Sequence, residues 1–262
     1  MGQELQEAIV LAKMPESLSG KDFTYCPGCH HGIVHRLVAE LIDEFNLREK
    51  TVLVAPVGCS VFAYEFFDVD GTVAAHGRAL AVATGMKRAR PDLFILTYQG
   101  DGDLAAIGTA ETIHAANRGE RVTTVFINNA VYGMTGGQMA PTTLLGMKTT
   151  TSPYGRAPER EGYPIHIMEI MRALPGVAYA ERVKVSRPQD VPKAKMDIKK
   201  AFYAQLLDVG FGIVEVLSAC PTNWGMAPVE AKRWLEENMT KEFPLGVFVD
   251  KVTQVMKERG VK

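Results

Sequence analysis

The sequence predicts an α/β domain, doubly wound around a mostly parallel sheet. Three observations predict it. Short apolar runs rich in β-branched residues recur at 52–57, 93–98, 122–128, 177–183 and 212–217, and they are continuous rather than alternating, as strands buried on both faces must be. The segments between them carry helical spacing. The chain has 262 residues, of which 47% are hydrophobic, enough to bury one large core.

In chain order, residues 31–45 place Ile33, Val34, Leu37, Val38, Leu41, Ile42 and Phe45 on one face, which predicts a core-facing helix directly after the turn Cys26-Pro27-Gly28-Cys29. Residues 52–57 form the first predicted strand. The small-residue stretch 77–88 predicts a helix that can lie close against a strand, and 93–98 predicts the next strand. A helix over 104–117, the strand 122–128, a helix over 165–173, the strand 177–183, a helix over 188–207 and the strand 212–217 continue the alternation. Such a pattern winds with right-handed crossovers, and ligands then bind beyond the C-terminal strand ends. Residues 135–164, rich in Thr, Gly and Pro, are too many for an ordinary connection and predict a long loop over the active site. From 228 onward the Pro-led, mixed-charge tail predicts a C-terminal helical extension, 228–262. The whole of 1–262 reads as a single domain.

Charge excludes one class of partner. Lys and Arg number 29 against 30 Asp and Glu, a net charge of −1, and no basic block recurs with interleaved aromatics, so nucleic acid is not an expected partner. Residues 1–20 lack the basic start and apolar centre of a secretion signal, and no run reaches the ~18 apolar residues of a membrane span. The expected setting is cytoplasmic, without membrane contact, where thiols stay reduced and free for metals or catalysis.

The stretch "YQGDGDLAAIGTAETIHAANRGERVTTVFINNAVYG", residues 98–133, sets a strand, a turn, a helix and a second strand in sequence. Gly100 and Gly102 let the backbone turn sharply and approach a ligand, while the helix beyond offers free N–H groups and the positive end of a dipole. A diphosphate fits that description. It needs a cation, and Mg²⁺ takes hard oxygen ligands: the carboxylate of Asp101, the side-chain carbonyl of Asn129 at the end of the neighbouring strand, and the backbone carbonyl of Val131. A nicotinamide site would need Gly-x-Gly-x-x-Gly, whose third glycine is missing here. This Gly-Asp-Gly followed by Asn-Asn after one βαβ unit resembles the thiamine diphosphate motif of transketolase-like and decarboxylase-like enzymes. His76, Gly77 and Arg78 stand at the entrance of the small-residue helix and are candidate cofactor contacts. His35 and His114 read as structural.

Four cysteines remain, and all four fall on the predicted cofactor edge. Cys26 and Cys29 share a tight turn, while Cys59 and Cys220 each follow a predicted strand. Four thiolates suit a structural zinc or an iron–sulfur cluster. One Cys-x-x-Cys pair with two distant singles, and a proline after Cys220, favour the cluster.

Together "YCPGC", "GCS", "AHGRALAVATG", "YQGDGDLAAIGTAE", "FINNAVYGMTGGQMAPTT" and "CPTNWG" closely resemble the β subunit of the 2-oxoacid:ferredoxin oxidoreductases, over about residues 25–250. The resemblance implies a thiamine diphosphate-binding fold, with the chain as its diphosphate-binding domain. It implies thiamine diphosphate, Mg²⁺ held by Asp101, Asn129 and Val131, and one 4Fe-4S cluster held by Cys26, Cys29, Cys59 and Cys220. Gly58, Ser60, Gly100, Gly102, Asp103, Gly133, Met134 and Thr135 would join His76, Gly77 and Arg78 around the cofactor, and Met134, Thr135, Gly136, Gly137 and Gln138 would border the substrate pocket. The implied reaction converts a 2-oxoacid and coenzyme A to acyl-CoA and CO₂, with electrons passing from the thiamine enamine through the cluster to ferredoxin. The activating glutamate of such enzymes is expected on a partner α subunit, so activity is expected only in a complex, with γ and ferredoxin-like δ subunits as further partners. Pyruvate-specific relatives often carry Asn where this chain has Met134, so a 2-oxoglutarate or 2-ketoisovalerate type is expected. His30 stands where relatives more often have Gly, a change that bears on hydrogen bonding around a cluster. The alternative is a non-redox thiamine lyase or carboligase subunit with a structural zinc.

Overall fold

The computed structural model describes residues 13–261; residues 1–12, the greater part of the stretch read for a secretion signal, and residue 262 lie outside them. Nine strands run through the described residues: β1 (Thr51–Ala55), β2 (Asp70–Val73), β3 (Phe94–Gly100), β4 (Thr123–Asn128), β5 (Val131–Tyr132), β6 (Gln138–Met139), β7 (Val177–Lys184), β8 (Phe211–Leu217) and β9 (Gly246–Asp250). Seven of them form one sheet in the order β2-β1-β3-β4-β8-β7-β9, and β5 and β6 form a separate hairpin. Every pairing in the large sheet is parallel except β7 with β9. β4, β7 and β8 are buried at every residue, which is why their sequences show no polar alternation.

Each strand divides its side chains between two cores. On one face Val125 and Ile127 pack with Leu96, Tyr98 and Val214 against the helices His31–Glu44 and Asp190–Leu206. On the other, Phe126 and Ile95 pack against Ala79–Ala89, Thr109–Asn117 and Ile167–Arg172. Each fully buried large apolar side chain contributes roughly 1.5–3 kcal/mol. The helix His31–Glu44 buries the predicted stripe, while Ile33 at its margin is exposed.

All five predicted strands form, and four differences have physical causes. β2 is a short, largely exposed edge strand, Asp-Gly-Thr-Val, and carries no apolar run to announce it. The tail is helical over Pro228–Trp234 and Val252–Glu258, but Gly246–Asp250 between them is the edge strand β9, so 228–262 is not helical throughout; Val247, Phe248 and Val249 are β-formers with a partner strand to join. The helix predicted over 104–117 breaks at Gly108. Residues Gly102–Ile107 wind as a wider π turn, with the Gly108 N–H donating to the Asp103 carbonyl at 2.8 Å, because the Gly77 backbone presses so close that a Cβ on Gly108 would sit 2.6 Å from the Gly77 carbonyl oxygen. Finally, the long connection expected over residues 135–164 carries the short strand β6 and a helical turn, Pro158–Glu161, and is anchored from within. Thr142, Thr143, Thr149, Ser152 and Arg156 are all buried. The Arg156 guanidinium donates to the carbonyls of Pro141 (2.8 Å), Thr143 (2.7 Å), Gly162 (2.9 Å) and Tyr163 (2.5 Å), supplying inside the protein the donors that a loop normally takes from water. No described helix is long and apolar enough to cross a membrane.

Candidate functional site

Because β1, β2, β3, β4 and β8 run parallel, their C-terminal ends emerge on one edge, and that edge holds a cleft of ≈ 520 Å³. β3 delivers Gly100, Asp101, Gly102 and Asp103 to its wall, β4 delivers Asn129, and the loop after β1 delivers Gly58, Cys59 and Ser60. His76, Val131, Gly133, Met134 and Thr135, also anticipated from sequence, stand on the same wall. Val57, Ile127, His31 and Tyr132 line it as well, and sequence reasoning did not single them out; for Tyr132 the signal was its place inside a motif already quoted.

Asp101 sits 2% exposed at the floor. Its Oδ1 accepts the Gly102 N–H at 2.9 Å and its Oδ2 the Thr142 hydroxyl at 2.7 Å. Burial pushes its carboxyl up from the ordinary 3.8 to about 7, against the pull of Thr142 and of the N–H groups of Gly102, Ala130 and Asn129. Those amides place the ends of β3 and β4 side by side. A buried acid in that state fits a cation, which would restore its charge. The Asn129 side-chain oxygen accepts the Val131 N–H at 3.2 Å, and the Asn129 carbonyl accepts the Trp224 indole N–H at 3.1 Å, so the segment that follows β4 is tied from both sides.

Asp103 is a hub rather than a surface of the cleft alone. Its Oδ1 accepts from His76 Nδ1 and the Gly77 N–H, each at 2.7 Å, and its Oδ2 from Gln99 Nε2 at 2.7 Å. One carboxylate therefore sets the loop that carries His76. Gly77 serves that loop through its backbone, and Arg78 turns away to Glu111 (2.8 Å) and the Ile107 carbonyl (3.1 Å). Neither Gly77 nor Arg78 reaches the cleft wall. Of the substrate-pocket set, Met134 is 42% exposed at the mouth, while Thr135 and Gln138 bond to one another, Gln138 Nε2 donating to the Thr135 carbonyl at 2.9 Å. Gly136, Gly137 and Gln138 stand outside the lining; a Cβ on Gly137 would press the Asn223 side chain at 3.0 Å.

The glycines divide by cause. Gly100 has ordinary room for a Cβ, with Ser60 Oγ at 3.5 Å. A Cβ on Gly102 would lie 2.3 Å from the Tyr132 ring, so the ring, and not a strained backbone, demands glycine there. A Cβ on Gly133 would lie 3.2 Å from the Cys59 sulfur, 3.7 Å from the Cys220 sulfur and 3.6 Å from Asn129 Nδ2. Gly133 thus touches both the anticipated thiol site and the anticipated magnesium site.

The thiols converge loosely. Cys26 and Cys29 close a turn, with the Cys29 N–H on the Cys26 carbonyl at 3.0 Å, and Asn223 Nδ2 donates to both the Cys220 sulfur (3.3 Å) and the Gly133 carbonyl (2.8 Å). Burial pushes Cys29 up to about 12 and Cys59 to about 11, with the neighbouring cysteines adding to both, and it raises Cys220. A bound cationic metal would favour the thiolate in buried thiols such as these. Among the described residues no three His, Cys, Asp or Glu side chains are grouped closely enough to hold one metal ion. A cluster of several irons spreads its ligands over a wider cage than a single zinc does. His30 accepts the Ala219 N–H through Nδ1 at 3.4 Å, and burial lowers it to about 4. Of this adjacent pair it is His31 that lines the cleft, stacked on Tyr25 at 4.7 Å and bonded through Nδ1 to the Tyr98 hydroxyl at 2.8 Å. His35 is core, as read from sequence.

Comparison with known proteins gives the family. Residues 56–209 match the family model for the thiamine pyrophosphate enzyme, C-terminal TPP binding domain. The chain is 50% identical over 230 residues to the ketoisovalerate oxidoreductase subunit VorA of Methanothermobacter marburgensis, covering 88% of this chain and 48% of that subunit; it thus spans about half the length of that relative. To the 2-oxoglutarate synthase subunit KorB of Archaeoglobus fulgidus it is 40% identical, covering 83% of this chain and 77% of that one. In structure it is similar to a 2-oxoglutarate:ferredoxin oxidoreductase from Magnetococcus marinus with 2-oxoglutarate, coenzyme A and succinyl-CoA bound, with a TM-score of 0.74, 25% identity, and coverage of 98% of this chain and 94% of that one.

Proposed function

From the premise that this chain belongs to the thiamine pyrophosphate enzymes, among the subunits of 2-oxoacid:ferredoxin oxidoreductases, we propose that it carries the cofactor-binding half of an enzyme converting a 2-oxoacid and coenzyme A to acyl-CoA and CO₂, with electrons passing through a 4Fe-4S cluster to ferredoxin. The observation that carries this reading is Gly133, where a Cβ would meet the Cys59 sulfur at 3.2 Å, the Asn129 amide nitrogen at 3.6 Å and the Cys220 sulfur at 3.7 Å, so that two thiols and a proposed magnesium ligand border the same glycine. Electron transfer from an organic cofactor to a metal centre needs such adjacency. When bound, thiamine diphosphate supplies the electron sink for decarboxylation and the cluster accepts electrons one at a time.

The chain's own residues prepare the site. Asp101, Asn129 and the Val131 carbonyl would hold Mg²⁺, with Thr142 orienting the Asp101 carboxylate. The turn at Gly102 leads into a helix start, the kind of backbone that suits a diphosphate. His76, fixed by Asp103, faces the Tyr132 ring across the cleft. Cys26, Cys29, Cys59 and Cys220 would hold the cluster, with Asn223 donating to the Cys220 sulfur. No Lys or Arg lines the described cleft wall, and Met134 presents an apolar side chain at its mouth. This wall favours a branched, apolar 2-oxoacid; a second carboxylate would need its cation from an α subunit, which is also the proposed source of the activating glutamate. The γ and ferredoxin-like δ subunits complete the proposed assembly, and its proposed setting is cytoplasmic.

The test is anaerobic purification with native partners, followed by iron, sulfide, magnesium and thiamine analysis and a panel of 2-oxoacids with coenzyme A and a viologen dye. Dye reduction by 2-ketoisovalerate or 2-oxoglutarate ahead of pyruvate is expected. Reduction by no 2-oxoacid, or zinc without sulfide, would overturn the proposal and favour a non-redox lyase.

A further inference from the structure

Asn128, the first of the two asparagines that close β4, is fully buried and does not line the cleft. Its amide is divided between two tasks. Oδ1 accepts the Ala130 N–H at 3.1 Å, and Nδ2 donates to Glu215 Oε1 at 2.7 Å. The other oxygen of Glu215 accepts from Arg182 Nε at 2.7 Å, and Arg182 extends two further N–H groups to Glu169, at 3.0 and 2.7 Å. Arg182 and Glu215 are 0% and 1% exposed. A hydrogen-bonded line therefore crosses the interior from Glu169 at the surface through β7, β8 and β4 to the peptide of Ala130.

Two features of this line ask for a reason. A buried ion pair seldom stabilises a fold better than apolar residues of the same volume, yet this one occupies the centre of the sheet. Ala130, where it ends, has φ of 61°, a left-handed conformation that a Cβ disfavours. Its N–H is held by Asn128 and its carbonyl by the Thr143 hydroxyl at 2.5 Å. Reversal of the chain at Ala130 is what lets Asn129 and Val131, on either side of it, face the same cleft as Asp101.

We infer that Asn128, oriented by Glu215 and Arg182, is a positioning residue that holds Ala130 left-handed so that Asn129 and Val131 present oxygen ligands to a divalent cation beside Asp101. The inference rests on the magnesium reading of that site. Glu215 takes the donor side of the Asn128 amide, which leaves only the oxygen to face Ala130; without this partner the amide could flip and present its NH₂ to an N–H.

The experiment uses the complete protein with its partners and measures Mn²⁺ binding by electron paramagnetic resonance in the presence of thiamine diphosphate. Asn128→Ala is expected to weaken Mn²⁺ about tenfold or more, as loss of an outer partner of a metal ligand does. Adding Ala130→Gly, which makes the left-handed turn free of strain, should recover most of that loss. Recovery is the decisive readout, because a merely structural defect would not be repaired by a glycine. Glu215→Gln, which keeps the side chain's shape, is the second variant and should weaken Mn²⁺ in the same direction if Asn128→Ala does not fold. Native Mn²⁺ affinity in Asn128→Ala or Glu215→Gln, or a loss that Ala130→Gly leaves untouched, overturns the inference. Mn²⁺ binding that survives Asp101→Asn unchanged overturns the magnesium reading itself, and the inference with it.

Discussion

Replacing Gly102 with alanine tests what that glycine is for. The added methyl would lie 2.3, 2.5 and 2.9 Å from Cε1, Cδ1 and Cζ of Tyr132, where carbon atoms normally rest about 3.5–4.0 Å apart. Gly102 does not adopt a left-handed φ, so alanine meets no backbone penalty and the whole effect falls on the ring. Tyr132 is half-buried, and its hydroxyl makes only a long bond to the Gly102 carbonyl at 3.4 Å, so it can shift but loses its packing in doing so. Overpacking of this kind costs about 1–3 kcal/mol, or roughly 2–4 °C in melting temperature for each kcal/mol in a chain near this size. The assay is a double-mutant cycle with Tyr132→Ala, followed by thermal unfolding without cofactor and by thiamine diphosphate calorimetry. Removing the ring should cancel most of the Gly102→Ala loss, giving a coupling of about 1 kcal/mol or more. If the two losses add within about 0.5 kcal/mol, the ring is not the reason for the glycine. If stability recovers while thiamine diphosphate affinity does not, close approach of the diphosphate is a second, separate reason.

Three further outcomes follow from the site. Asp101 has a folded-state value near 7 against 3.8 ordinarily, so in the metal-free protein it stabilises the fold fully below pH 3.8, and that contribution is lost as pH rises through about 7; a metal needs the ionised form, so Mn²⁺ affinity should rise about tenfold per pH unit below 7 and then level off, and a flat titration would refute the assignment. Gly133→Ala sets a methyl 3.2 Å from the Cys59 sulfur and should lower iron and visible absorbance per chain by about half or more, whereas an unchanged iron content would separate Gly133 from the thiol site. Arg156→Met strips the donors from buried carbonyls on both sides of Thr142 and should cost about 3 kcal/mol or more, with new protease cuts within residues 140–163 as the measurement; an uncut loop would show that Thr142 and Thr143 hold it without the arginine.

Legibility followed the physics of each element. Strands buried on both faces write continuous apolar runs, so β3, β4, β7 and β8 could be read directly; β2, exposed and polar at the edge, could not. The two halves of the site were legible because a tight turn needs glycine and a cation needs carboxylate and amide oxygens, and such residue types stand out at strand ends. Sequence gives Arg78 its position at a helix entrance but not the direction of its long side chain, which reaches Glu111. His30 and His31 are adjacent letters with opposite fates, one against the backbone after β8 and the other on the cleft wall.

By itself the sequence determined the parallel sheet, the edge on which chemistry collects, and the kinds of group found there, because burial and turn geometry constrain residue type locally. Only the tertiary structure decided which side chains meet: that Tyr132 excludes a methyl from Gly102, that Gly133 sits between two sulfurs and an amide, and that Asn128 faces inward to Glu215 while Asn129 faces the cleft. Those facts depend on contacts between residues far apart in the chain, and a local pattern carries no record of its distant neighbours.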